Sequence, residues 1–289
     1  MMIISQHREQ LGSVIEIKLP EEHKSLFEEC FAEIHRIEEA YSRFLDTSEL
    51  SRVNRNLGQW QAVSEEFLHL VLRGLEFHEK TEGSFDITLK ADLDRLGYDK
   101  EYSFTPRKHK VSLKQRLFSF LAPICIDKGR ILLRREIEFG GLGKGYALDR
   151  VAALLDKANV QKYYVNAGGD IIVRGSWEVL LEHPDDTERV IGKIMLKDRA
   201  IAGSAPNRRK WRGHHHLLNA RTRLPEHSTL CVFVIAKTGI EADAYATSIF
   251  AAGFEKGMKL TAKLPVDALI VSADRKMFLS DGFTAELYR

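Results

Sequence analysis

Apolar residues along this chain alternate between two spacings, and the places where the spacing changes mark out its elements. Residues 12–19, GSVIEIKL, alternate and are rich in β-branched side chains, which predicts a strand paired with residues 1–5 and closed by Pro20. From Glu21 onward, Leu26, Phe27, Cys30, Phe31, Ile34, Ile37, Tyr41 and Phe44 recur at helical spacing, so a long amphipathic helix with a charged outer face is expected. A second helix is expected over about 64–82, with Ser64 as its N-cap and Gly83 just past its end.

Between Pro106 and Glu136 the pattern is short and basic, predicting strands separated by a turn at 127–130. Residues 136–139 have the pattern of a strand end, 140–145 of a glycine-rich loop, and 146–158 of a helix striped by Ala147, Leu148, Val151, Leu154, Leu155 and Ala158. Strands follow at 162–165 and, after a tight turn at Gly168 and Gly169, at 171–173, 177–182, 190–196, 230–237 and 268–272, with a last long helix over about 240–260. Strands outnumber helices and often succeed one another directly, so the expected class is α+β with a largely antiparallel sheet. With no fixed-period repeat, low-complexity segment or Ser/Pro linker, residues 1–289 are expected to form a single domain.

Composition narrows the classes of function. Hydrophobic residues at 44% and charged residues at 29% are ordinary for a folded globular protein. The 43 basic and 41 acidic residues nearly cancel, which leaves no global field to draw the chain onto nucleic acid or an anionic membrane. Any anion site must be local. Cys30, Cys125 and Cys231 lie far apart without CxxC spacing, arguing against a disulfide framework or a zinc ribbon. The opening MMIISQHREQ has no signal-peptide pattern, so a cytoplasmic location is expected as the sequence stands, or an exported, periplasmic one if a leader was removed.

Three segments carry candidate chemistry. FGGLGKGYALD, residues 139–149, places glycines and Lys144 at a helix start, whose free N–H groups and dipole suit a phosphate. It matches neither nucleotide fingerprint: Gly145 follows Lys144 where a P-loop needs Ser or Thr, and the glycine spacing is GxGxG. A plain glycine-rich turn is an equal alternative. In EADAYATS, residues 241–248, Asp243 and Thr247 stand one helical turn apart and offer two oxygens to a magnesium ion, although a solvent-facing Asp on an alanine-rich helix is the simpler case. RRKWRGHHH, residues 208–216, could supply a general base, but a solvated charged hairpin is expected for most of it, and alternating side-chain directions argue against zinc.

Taken in order, these segments resemble the ApbE family of FAD:protein FMN transferases over most of the chain. FLDTSELSRVN at 44–54 is similar to the family's Ser-Glu-Leu-Ser-x-x-Asn stretch, and GSFDIT at 83–88 to its G-x-F-D-x-T segment. Residues 138–149 are similar to D-L-G-G-I-A-K-G-Y-A-V-D, VNAGGDI at 165–171 to V-N-x-G-G-D-I, and ADAYAT at 242–247 to A-D-A-x-A-T. The resemblance implies a T-fold-like architecture, FAD bound near the glycine loop, and magnesium held by Asp243, Thr247 and a backbone carbonyl near Gly143. It places Phe44, Gly140, Gly141, Gly143, Lys144, Asp170, Ser204 and Thr247 at cofactor-binding positions, with Phe44 where a tyrosine usually lies beside the flavin ring. The implied reaction moves FMN from FAD to a threonine of a target protein and releases AMP, with His215, His216, Lys144 and Asp243 as catalytic candidates.

The chain departs from the family pattern at HHLLNARTR, residues 215–223. Asn219 stands for an Asp, Ala220 for a Pro and Arg223 for a Gly, while Ser204, Ala205 and Pro206 replace Ser-Gly-Asp and Leu96 replaces a frequent Trp. These changes touch the turn that orients the histidines. Two alternatives to transfer therefore accompany the expectation: FAD binding without transfer, and hydrolysis of FAD to FMN and AMP.

Overall fold

A computed structural model describes residues 2–107 and 121–288. Its centre is an eight-stranded antiparallel sheet in the order Ile3–Gln10, Ser13–Pro20, Tyr163–Ala167, Asp170–Arg174, Ala200–Ser204, Thr229–Ala236, Asp267–Ser272 and Met277–Leu279. Alternation decides which side each residue serves. Val165, Ile172, Val232, Val234, Ala268 and Ile270 face the helices, whereas Tyr164, Ile171, Val173, Ile235, Leu269 and Val271 face a second, three-stranded sheet built from Ser176–His183, Asp186–Lys197 and Ala285–Leu287. The result is three layers, α+β and largely antiparallel as expected.

Helix Phe27–Tyr41 buries Phe27, Cys30, Phe31, Ile34, Ile37 and Tyr41, and each such large apolar side chain removed from water contributes about 1.5–3 kcal/mol. Helix Gly239–Ala252 is buried almost all round, so it runs through the core, and its alanines let it lie close to the sheet and to helix Gly143–Lys157. Helix Glu65–Lys80 starts as expected at Ser64, whose hydroxyl accepts from the Phe67 amide at 3.1 Å.

Several expectations are corrected. Helix Phe27–Tyr41 ends before Phe44, because Ser42 is extended, and Phe44 packs in a separate cluster with Leu93, Leu96 and Tyr98. Residues 136–139 join no strand: Asn54 bonds both backbone groups of Ile137, at 2.8 and 2.9 Å, and Glu138 donates its amide to the Ile87 carbonyl at 2.8 Å. The next helix begins at Gly143, three residues sooner than its apolar stripe indicated, so half of the glycine loop is its first turn. The last long helix is two, Gly239–Ala252 and Phe254–Thr261, broken by Gly253 at φ +81°. Helices Glu49–Arg55 and Lys90–Leu96 and strand Ala200–Ser204 have no counterpart in the expected elements. Strands Ile124–Asp127 and Arg130–Leu133 flank the expected turn, and the part of the expected strands covering 108–120 lies outside the described residues.

Candidate active site

Two helices cross where both lack side chains. A Cβ on Gly145 would collide with the Gly239 carbonyl and lie 2.8 Å from Asp243 Cβ, and one on Gly239 would lie 2.5 Å from the Gly145 carbonyl oxygen. Two carboxylates tie the crossing: Asp243 Oδ2 accepts from the Gly145 amide at 3.0 Å, and Asp149 accepts from the Gly239 and Ile240 amides at 2.5 and 2.9 Å. Asp149 thus occupies the positive end of helix Gly239–Ala252, although burial raises its carboxyl to about 6. One turn beyond Asp243, Thr247 meets the glycine loop; a Cβ on Gly141 would lie 3.1 Å from Thr247 Cγ2, 3.3 Å from its Oγ1 and 3.1 Å from the Phe85 ring.

The remaining motif residues hold this loop in place. Ser48 caps helix Glu49–Arg55, Leu50 is fully buried, and Asn54 fixes Ile137 just ahead of the loop. Phe85 packs under Gly141, while Glu138 Oε2 accepts from the Gly140 amide at 2.7 Å. Burial raises the Glu138 carboxyl and the Arg43 guanidinium opposes that rise.

Lys144, in the first turn of its helix, forms an ion pair with Asp170, whose second oxygen accepts from the Gly203 amide at 3.2 Å. Burial works against the ammonium, yet Asp170 and Asp243 outweigh it and hold Lys144 above its ordinary value. Burial pushes the Asp243 carboxyl up to about 7, with Asp170 adding to the rise and Lys144 opposing it. Among the described residues no group of three or more His, Cys, Asp or Glu side chains forms a metal centre. The oxygens of Asp243 and Thr247 are hard donors nonetheless, suited to a magnesium ion that takes its remaining ligands from carbonyl, water or phosphate.

The histidines divide sharply. His215 is buried, donates Nε2–H to the Glu226 carbonyl at 2.9 Å and accepts at Nδ1 from the Leu217 amide at 3.2 Å. Both nitrogens are spent on backbone, and burial lowers its pKa to about 4, so this ring orients the turn and has no free position for proton transfer. His216, on the alternate face, lines the cleft, and its buried Nδ1 has no hydrogen-bond partner among the described residues. Burial first, then Arg209 and His215, keep it neutral by holding it well below its ordinary value.

Three of the departures, at Asn219, Arg223 and Leu96, have a local counterpart. Asn219 Oδ1 accepts from the Arg221 and Thr222 amides at 3.1 and 3.3 Å, the turn-forming work of an aspartate, while its Nδ2 donates to Glu226. Arg223 takes the left-handed conformation of a glycine, φ +57°, and pairs with Asp92 at 2.6 Å. Beside Leu96, an indole arrives from another segment: Trp211 is buried and donates Nε1–H to the Leu96 carbonyl at 2.9 Å. The expected solvated hairpin exists as Lys210–Trp211 against His214–His215, but Trp211 and His215 are inside.

A cleft of about 1430 Å³ gathers Phe44, Gly140, Gly141, Gly143, Lys144, Ser204, His216, Asp243 and Thr247 on its walls; Asp170 and His215 stand behind them. Phe44 is already stacked on Tyr102, ring centres 4.9 Å apart, and lies under the Arg43 guanidinium at 4.5 Å. Sequence reasoning missed Tyr98, Tyr102, Arg43 and Arg209, all on the cleft wall. Arg209 lies in the basic run 208–216, for most of which a solvated hairpin is expected; the aromatics carry no periodic signal.

Comparison with known proteins agrees with this geometry. The chain is 25% identical over 263 residues to the FAD:protein FMN transferase of Haemophilus influenzae, covering 82% of this chain and 75% of that one. It is 26% identical to the Treponema pallidum protein of the same name, covering 91% and 81%. The ApbE protein of Thermotoga maritima superposes with a TM-score of 0.88 at 25% identity over 98% of both chains, and the apo flavinyl transferase ApbE of Pseudomonas stutzeri with 0.84 at 22%, over 98% and 96%. A model described as the ApbE family matches residues 11–270, and with the motifs placed around one cleft the chain belongs to the ApbE family.

Proposed function

We propose that this enzyme transfers the FMN half of FAD to a threonine hydroxyl of an acceptor protein, releasing AMP, with magnesium bound at Asp243 and Thr247. The observation that carries the reading is the meeting, in one large cleft, of a glycine-lined helix start with a carboxylate and a hydroxyl one turn apart. The relatives' names support FAD as donor and a protein as acceptor. The ion, the threonine and AMP release are our own extension.

In this reading Gly140, Gly141 and Gly143 let the pyrophosphate approach the backbone, and the helix start favours its charge. Asp243, Thr247 and the Gly143 carbonyl would hold the ion, which would supply positive charge against that of the phosphate oxygens. Lys144, oriented by Asp170, adds a fixed positive charge beside the same phosphates. Ser204 and Phe44 border the rest of the donor. The threonine oxygen forms a bond to the FMN-side phosphorus, the bridging P–O bond breaks, and the electron pair leaves with AMP. His216, neutral and on the cleft wall, accepts the hydroxyl proton at a ring nitrogen.

The test is incubation of the purified protein with FAD, magnesium and a threonine peptide, following AMP and peptide mass. AMP with a matching FMN mass gain is expected. AMP alone would instead establish hydrolysis, and a stable FAD complex with neither product would establish binding without transfer.

A further inference from the structure

Adjacent arginines at 208 and 209 have opposite fates. Glu182, on strand Ser176–His183, accepts from Asn207 Nδ2 at 2.8 Å and forms an ion pair with Arg208, clamping the turn. The Arg209 amide closes that turn by donating to the Pro206 carbonyl at 2.9 Å. Arg209, half-buried, lies on the cleft wall with its guanidinium 5.8 Å from the Tyr98 ring centre. No carboxylate forms an ion pair with it among the described residues, whereas Arg43, Lys90 and Lys144 near the same cleft all have acidic partners. Position 206, a proline, supplies none.

A guanidinium at a cleft wall beside Lys144 and His216, with no acid of its own, is open to an anion from outside the chain. Its planar fork suits two oxygens of one phosphate better than an ammonium does. We infer that Arg209 is a phosphate-binding residue of this site, gripping the donor's pyrophosphate and so separating a dinucleotide from an uncharged flavin. This rests on the proposed use of FAD. It assigns to Arg209 a share of the binding that neither the glycine loop nor the Asp243–Thr247 pair supplies.

The test compares FAD with riboflavin, which has the same ring and no phosphate, by flavin fluorescence titration in EDTA. Arg209→Ala is expected to weaken FAD by about tenfold or more, the scale of a lost charge-assisted pair, with riboflavin unchanged. Arg209→Gln, which keeps length and polarity, should show the same split, and it decides the matter if the alanine variant does not fold by circular dichroism. Equal affinity for FAD, or an equal loss for both flavins, overturns the assignment. If the wild-type chain binds no FAD at all, the proposed function itself has failed.

Discussion

The glycine-lined helix start and the segment from Ser204 to Glu226 border one cleft, and they are held by opposite means. The first is fixed through backbone: Gly145 against Gly239, and amides into Asp243 and Asp149. Almost nothing there can change without moving a helix. The second is fixed through side chains: Asn219 folds the turn, Arg223 anchors it on Asp92, Glu182 clamps Arg208, and Trp211 plugs the gap beside Leu96. Such a wall can exchange residues while preserving its shape. The lesson is that departure from a family pattern matters little where side chains can trade roles, and much where two backbones touch.

That contrast breaks most readily at the residues that chemistry needs. Asp243→Ala should abolish metal-dependent turnover, a loss of about a thousandfold or more in kcat/KM, and undiminished activity would remove the ion from the mechanism. His216→Ala should lower kcat by about a hundredfold or more with unfolding unchanged. His215→Ala should do the reverse, costing about 2 kcal/mol in denaturant unfolding through two lost backbone bonds, with activity falling mainly as the fold loosens. If the two variants behave alike, the division between the rings is wrong.

On the backbone-held wall, Gly145→Ala should cost about 3 kcal/mol, since the added methyl forces the helices apart at a contact without room. A cost under about 0.5 kcal/mol would mean that the crossing relaxes freely. The same wall makes a pH prediction. The folded Asp243 carboxyl sits at about 7 against an ordinary 3.8, so its contribution is fully present below about 4 and is lost as pH rises through 7. In metal-free protein, Asp243→Asn should therefore raise Tm at pH 8, on the order of 5 °C, and change little at pH 4. A greater gain at pH 4 than at pH 8 would reverse the sign of the argument.

How much of this was legible in the sequence follows the same division. Residues 12–19 announced their strand by alternation, because one face is buried and the other more open, and 230–237 by an unbroken apolar run, because both faces of that central strand are covered. The motifs around Gly141 and Asp243 announced a shared site, since their residues act on backbone and admit few substitutes. Short helices were invisible: Glu49–Arg55 and Lys90–Leu96 have seven residues each, too few for a periodic signal. Residues 136–139 looked like a strand because their apolar residues alternate, but the partner of Ile137 is the side chain of Asn54, which no strand pattern reveals. The break at Gly253 was hidden between two apolar stretches that share the same core. Arg209 was obscured by its own company, as charge runs give no sign of which member turns inward.

The side-chain wall gives the smallest and most discriminating prediction. Arg223→Gly restores the family's residue at a left-handed position, and relief of that backbone strain is favourable by about 1 kcal/mol. It also removes the ion pair to Asp92, a partly exposed contact worth less than about 1 kcal/mol, and adds the greater freedom of glycine in the unfolded chain. These terms oppose one another, so stability should stay within about 1 kcal/mol of wild type. Asn219→Ala has no such offset: two amides lose their acceptor, and a cost of about 1–2 kcal/mol is expected, while Asn219→Asp should be close to neutral because either oxygen can fold the turn. Denaturant unfolding of the three variants sets them in order. A costly Asn219→Asp would show that the amide donated to Glu226, and not the turn, is what this chain gained by departing from the pattern.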